Sequence, residues 1–281
     1  MSRLVYLQLI LFFGFIAHAQ PSADALRRTF LDYRSGTVMV AAHRAVHNVH
    51  PENSLQAIQE SITLGVDIVE IDIKVSSDGV PFLMHDHTVD RTTTGEGVAE
   101  EFSWEELQQF FIVDKGIETR LKIPSLKEAL ELAYGKILID LDLKTDKIDD
   151  VVKLVNKTYS QDFVFFFDSD YQILSRVHQA NKDFLIMPRA HSVQQADSAI
   201  SLFDPPVVHI DFSFYSNECV QNIQSSDARV WINSLGEPDK DLKEGKEKRA
   251  LKNLLRHGAN VIQTDEPALL LQALRKRGLH Q

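Results

Sequence analysis

The sequence predicts an α/β chain whose strands close into a (β/α)8 TIM barrel with a small insertion after the second strand. Three observations carry this. From residue 137 onward, short β-branched and aromatic runs alternate with amphipathic stretches, the rhythm of parallel strands joined by crossover helices. Nine strand candidates occur, near residues 38, 67, 80, 137, 163, 184, 207, 229 and 260. The second and third are separated only by a turn, whereas a parallel crossover needs about a dozen residues, so the third returns antiparallel and eight parallel strands remain. Eight strands over about 245 residues match the size and count of such a barrel. An open doubly wound sheet is the alternative; against it, no glycine-rich phosphate loop follows the first strand.

Taken in order, Arg3 precedes an apolar run over residues 4–17, and Ala17-His18-Ala19 makes a small-x-small cleavage site. Residues 1–19 therefore read as a secretory signal peptide, too short for a comfortable membrane span. The mature chain is expected to be one domain, residues 20–281, exported to the periplasm or secreted. A lone Cys219 makes no internal disulfide, so stability must come from the core. Residues 23–31 read as a short helix and 38–42 as a buried strand leading into His43-Arg44. Asn53 or Ser54 caps a helix over 55–64 that Gly65 ends. The strand at 66–75 then alternates, with Glu70, Asp72 and Lys74 on one face. Asp78-Gly79 is a hairpin-turn signal. With those two as central residues, Ser77 faces Val80, Asp72 lies opposite His85, and Glu70 lies opposite His87. Residues 88–124 are turn-rich and make most of the insertion, about 76–124, in which Ser103 opens a short helix. Ser125 opens another, to about residue 134. Later strands are expected at 137–143, 163–167, 184–187, 207–211, 229–232 and 261–264, with helices at 148–158, 171–180, 193–202, 246–256 and 267–277.

The composition is ordinary for a globular protein, with 44% apolar and 25% charged residues. A net charge of −10 argues against nucleic acid, which demands a basic face, and suits a protein that binds a cation. In a barrel, functional groups gather at the C-terminal ends of strands. There the sequence places His43-Arg44, Glu70 and Asp72, and Asp140, Asp142 and Lys144. Glu70, Asp72 and Asp142 on adjacent strands crowd three negative charges around one point. A hard divalent cation with oxygen ligands, Ca2+ or Mg2+, relieves that crowding. Pairing with Lys74, Lys144 and Arg44 is the simpler alternative. His43 and His85 reach the same rim from different segments, a pairing suited to general acid and base work on a phosphoester. His47, His50 and His87 read as solvated or supporting groups, and His209 as a core residue. Arg44 can clamp phosphate oxygens, Lys144 can offset developing charge, and Trp231 and Phe214 can wall a pocket.

The ordered series His43-Arg44, Pro51-Glu52-Asn53-Ser54, Glu70-Ile71-Asp72-Ile73, Ser77-Asp78-Gly79, His85-Asp86, Asp90-Arg91-Thr92-Thr93, Ile123-Pro124-Ser125-Leu126 and Thr264-Asp265-Glu266-Pro267 resembles the glycerophosphodiester phosphodiesterases. The resemblance implies a TIM barrel with an early insertion and hydrolysis of glycerophosphodiesters to glycerol 3-phosphate and an alcohol. It implies a Ca2+ or Mg2+ site at Glu70 and Asp72, with His43 and His85 sharing the proton work and Arg44 on the phosphate. Lys144 matches the lysine after the family's third metal carboxylate, and Trp231 sits where many members carry a substrate-lining tryptophan. Two positions depart from the pattern: Asp142 stands where the family usually has Glu, and Ala45 where it usually has Gly. The expected partner is a small glycerophosphodiester, with membrane contact not required. Two rivals remain. One is a related barrel enzyme that cleaves phospholipids to cyclic phosphates, with residues 102–113 as an apolar rim. The other is a non-catalytic phosphodiester binder.

Overall fold

The computed structural model describes residues 21–281, so the leader expected at 1–19 lies outside the described residues. In chain order the strands are β1 (Met39–Ala42), β2 (Ile68–Val75), β3 (Pro81–Leu83), β4 (Val113–Asp114), β5 (Ile117–Glu118), β6 (Leu138–Leu143), β7 (Val164–Asp168), β8 (Leu185–Ala190), β9 (Val207–Ile210), β10 (Arg229–Asn233) and β11 (Val261–Thr264). The helices are α1 (Ala23–Leu31), α2 (Leu55–Leu64), α3 (Trp104–Leu107), α4 (Leu126–Ala133), α5 (Ile148–Lys157), α6 (Tyr171–Ala180), α7 (Val193–Phe203), α8 (Asn217–Ser225), α9 (Glu237–Lys243), α10 (Glu247–Leu255) and α11 (Pro267–Arg275).

Eight strands pair in parallel in the order β1, β2, β6, β7, β8, β9, β10, β11, and β11 returns to β1 with Met39 beside Val261. The sheet is therefore a closed (β/α)8 TIM barrel. Its strands are buried almost end to end, as expected where helices cover one face and the barrel interior the other. Several crossover helices start where the sequence supplies caps. Ser54 accepts from the Ala57 N–H, and Ser125 and Glu128 make a reciprocal capping box. Helix α1 seals the end of the barrel where strands begin: Phe30 stacks on Phe165 at 4.8 Å, near the start of β7. Two helices, α8 and α9, escaped the sequence reading. Helix α8 is rich in Asn, Gln and Ser, and α9 is a short piece entered through Gly236-Glu237-Pro238.

The hairpin differs from expectation by one residue. β3 runs antiparallel to β2 with Ile73 beside Leu83 and Val75 beside Pro81. The Ser76 N–H donates to the Val80 carbonyl at 3.0 Å, so the loop holds Ser77, Asp78 and Gly79, and Asp72 faces Met84 rather than His85. The cause is local: the Ser76 hydroxyl accepts the Val80 N–H and donates to Asp78, and Gly79 closes the longer loop at φ 84°. Between this hairpin and α4 the insertion builds its own small core from Phe82, Met84, Val89, Ala99, Leu107 and Ile123. Phe102, Trp104 and Phe110 pack onto it, and Lys122 covers the ring of Phe111. The aromatic stretch 102–113 thus packs back on the insertion's own core with its rings half-buried. Among the described residues, no helix is long and apolar enough to cross a membrane.

Candidate active site

At the end of β1 the chain makes a sharp turn in which Arg44 and Ala45 both take left-handed conformations, φ 49° and 63°. Ala45 holds there a conformation that glycine adopts more easily. The turn aims the Arg44 N–H at Glu70 Oε2, 2.6 Å away, and the Ala45 N–H at the Glu70 carbonyl oxygen.

Glu70 and Asp72 point from β2, and Asp142 points from β6, where it pairs in register with Asp72. One oxygen from each of the three carboxylates falls within 4.8 Å of the others. Asp142 reaches the cluster in spite of its shorter side chain because that register sets it beside Asp72. Glu70 and Asp72 are almost fully enclosed. Burial, followed by the charges of Asp72, Asp142 and Asp140, raises the Glu70 carboxyl well above its ordinary range. Burial likewise lifts Asp142 to about 6, although Lys144 opposes it. Lys144 Nζ lies 2.7 Å from Asp142 and 3.7 Å from Asp72, and Arg44 Nε lies 3.5 Å from Asp72. Two of the three partners of the simpler ion-pair reading, Lys144 and Arg44, are therefore present; Lys74 instead donates to the Lys144 carbonyl. Two cations do not lift the crowding on Glu70. An all-oxygen, enclosed, partly neutralised donor set fits a hard divalent cation. Asp140, deeper in the barrel, has one buried oxygen without a partner, and burial first and Asp142 second push its carboxyl far upward.

The histidines are held through one nitrogen each. His43 Nδ1 lies 2.8 Å from Asp265 Oδ1, and His85 Nδ1 lies 2.7 Å from Asp86 Oδ1. His47 Nε2 meets the same Asp265 oxygen at 2.8 Å. His85 shares a cavity with Glu52 and Asn53; Asn53 reaches the acidic cluster directly and Glu52 through Arg44. A charged chain makes the link: His85, Asp86, Arg91, Glu52, Arg44, Asp72. Arg91 forks between Asp86 and Glu52 with contacts of 2.6–3.0 Å. Burial raises the Glu52 carboxyl, but the hydrogen bonds from Arg91 and Arg44 outweigh it and hold it low. A cleft of about 300 Å³ opens beside this chain, lined by His47, Glu52, Arg91 and Lys115 and walled by the β4–β5 hairpin.

Glu52, Asp86, Arg91 and Asp265 stand in the quoted motifs without an expected task, and Asn53, a candidate helix cap beside Ser54, instead bonds Asp72 while Ser54 makes the cap. Their signal was position in the series; their partners lie in other segments. Trp231 needs a correction. Its side chain is fully buried against Phe165 and His209, and its indole N–H donates toward Asn233 and Gln263, so it has no face toward a substrate. Burial also pushes the His209 imidazole down to about 3, as a neutral core residue requires.

Comparison with known proteins agrees with this geometry. A glycerophosphodiester phosphodiesterase from Caldanaerobacter subterraneus is 37% identical over 113 residues, 38% of this chain and 45% of that protein. Glycerophosphodiester phosphodiesterase 1 from Mus musculus is 39% identical over 115 residues, 38% of this chain and 34% of that protein. The match thus spans less than half the length of these curated relatives. A solved phosphodiesterase from Oleispira antarctica, in complex with the product sn-glycerol-3-phosphate, superposes with a TM-score of 0.73 at 26% identity, covering 84% of this chain and 96% of that one. A glycerophosphoryl diester phosphodiesterase from Parabacteroides distasonis has the same fold, with a TM-score of 0.77 at 23% identity over 91% and 92% of the two chains. The model of the glycerophosphoryl diester phosphodiesterase family matches residues 43–233, from the first rim histidine to the end of β10. With more than half its length under that model and the family's motifs converging on one rim, the chain belongs to the glycerophosphoryl diester phosphodiesterase family.

Proposed function

We propose that this chain hydrolyses glycerophosphodiesters to glycerol 3-phosphate and an alcohol, using one divalent cation, Ca2+ or Mg2+. The carrying observation is the meeting of Glu70, Asp72 and Asp142 within 4.8 Å at the barrel mouth, linked through Arg44 and Glu52 to His85 and, through the β1 turn, to His43. Glu70, Asp72 and Asp142 would hold the cation, which supplies Lewis-acid stabilisation of the phosphoryl oxygens. Arg44 and Lys144 draw the phosphate toward that point and offset its growing negative charge. Asp265 and Asp86 each accept from a histidine Nδ1, leaving Nε2 of His43 and His85 to exchange protons. One ring takes the proton of the nucleophile, a water or the substrate's own glycerol hydroxyl, and the other returns one to the departing alkoxide; on the second route water then opens the cyclic phosphate. Trp231 takes no part in binding. The leader at 1–19 makes the enzyme an exported one, periplasmic or secreted. N-terminal sequencing of the exported protein, expected to start at Gln20, tests that part.

The test is release of glycerol 3-phosphate from glycerophosphocholine, glycerophosphoethanolamine and glycerophosphoinositol. Activity should vanish with EDTA and return on adding Ca2+ or Mg2+. Full activity in chelated protein would remove the metal from the reading, and no release from any diester would remove the reaction.

A further inference from the structure

We infer that His43, His47 and Asp265 form a second cation site, of different chemistry from the carboxylate cluster, which takes Zn2+ and on filling withdraws His43 from proton exchange. One ligand atom from each of His43, His47 and Asp265 lies within 4.8 Å of the other two, and His43 Nδ1 and His47 Nε2 both meet Asp265 Oδ1. Two imidazole nitrogens and one carboxylate oxygen are a donor set for zinc or a similar first-row ion and a poor one for Ca2+ or Mg2+.

The backbone builds this arrangement. The left-handed turn at Arg44 and Ala45 ends with the His47 N–H donating to the Ala45 carbonyl at 2.8 Å, which folds residue 47 back beside residue 43. The two rings stand edge to face, 5.8 Å apart at 87°. The Asp265 main chain is pinned from below: its N–H donates to Asp239 Oδ2, and Asp239 accepts from Ser234 and Thr264. The group is partly open, with side-chain exposures of 21%, 27% and 34%, so an ion can enter. Each histidine nitrogen now lies 2.8 Å from the carboxylate oxygen. Ligand atoms around a tetrahedral zinc are about 3.3 Å apart, so filling requires each nitrogen to draw back from that oxygen by about half an ångström.

Zinc on Nδ1 leaves the only ring proton of His43 on Nε2. A ring so bound neither accepts a proton nor releases one near neutral pH, which blocks an acid role and a base role alike. This blocking half rests on the proton role proposed for His43; the binding half does not.

The experiment separates the two. Protein saturated with Mg2+ is titrated with Zn2+ against a chromogenic chelator. One zinc per chain is expected, with affinity falling at least about tenfold in His47→Ala and Asp265→Asn and kept in Asp142→Asn. Thermal melts check that each variant is folded, and His47→Ala, a partly exposed loop change, carries the test if Asp265→Asn is not. No bound zinc, binding that survives His47→Ala, or binding lost in Asp142→Asn overturns the site. In parallel, Zn2+ should inhibit diester hydrolysis by the native protein and spare His47→Ala. Zinc that binds through His47 and leaves turnover undiminished overturns the blocking half alone.

Discussion

Asn53 and Asp72 hold each other twice. The Asn53 side-chain amide donates to Asp72 Oδ2 at 2.8 Å, and the Asp72 N–H donates back to Asn53 Oδ1 at 3.0 Å. Asn53 is buried and sits at φ 55°, a left-handed conformation that Asn tolerates better than most residues. It therefore fixes the orientation of one carboxylate of the cluster from a loop that precedes α2. Asn53→Gly keeps the backbone conformation and removes both bonds. We expect its divalent-cation affinity to fall about 10–100-fold, read from activity against cation concentration.

The two rim histidines should be separable from the fold. His43→Ala and His85→Ala are each expected to lower kcat by about 10²–10⁴ with a native melting curve. Both side chains are partly exposed, so little packing is lost. A loss under about tenfold would end that residue's proton role.

Arg229 is a structural counterpart to the site, at the other end of the barrel. It is fully buried, and among the described residues no carboxylate forms an ion pair with it. Its guanidinium instead donates to the carbonyls of Thr29, Phe30, Asp32, Thr37 and Asn260 and to the Ser35 hydroxyl. Three of those carbonyls close the C-terminal end of α1, where a cation is favoured. Burial pushes the guanidinium down to about 10, which still leaves it charged at neutral pH. Arg229→Met fills similar space and removes all six of these hydrogen bonds, while Thr29, Asp32 and Asn260 keep one backbone donor each. The expected cost is about 3–5 kcal/mol in denaturant unfolding.

His280 ties the end of the chain to the barrel through Nε2, 2.9 Å from Asp67 Oδ2, which also accepts the Val40 N–H. Burial lowers the imidazole, but the hydrogen bond and charge of Asp67 outweigh it and the net shift is upward. A histidine raised in the folded state stabilises fully below its unfolded value and loses that contribution as pH rises through the folded one. His280→Ala should therefore destabilise more at about pH 5.5 than at about pH 9, measured by thermal unfolding. An equal loss at both would show that packing alone holds the terminus.

Much of this protein is written locally. The alternation of strands and helices from residue 137 onward is a pattern of side chains within short windows, which is why the barrel and most of its elements were legible. Glu70, Asp72 and Asp142 were also legible, because alternation along a strand fixes which residues share a face, and adjacent parallel strands bring those faces together. The hairpin register was not: Asp78-Gly79 signals a turn, but the Ser76 side chain lengthened it and moved every facing pair by one. Trp231 was misjudged because strand position alone does not reveal depth in the barrel. Short-range periodicity was enough to specify the barrel and its rim acids. That Asp265 holds two histidines at once and that Arg91 ties Asp86 to Glu52 emerges with the folded chain alone. Those bonds join segments up to 222 residues apart, and no local pattern encodes which charges will meet across such distances.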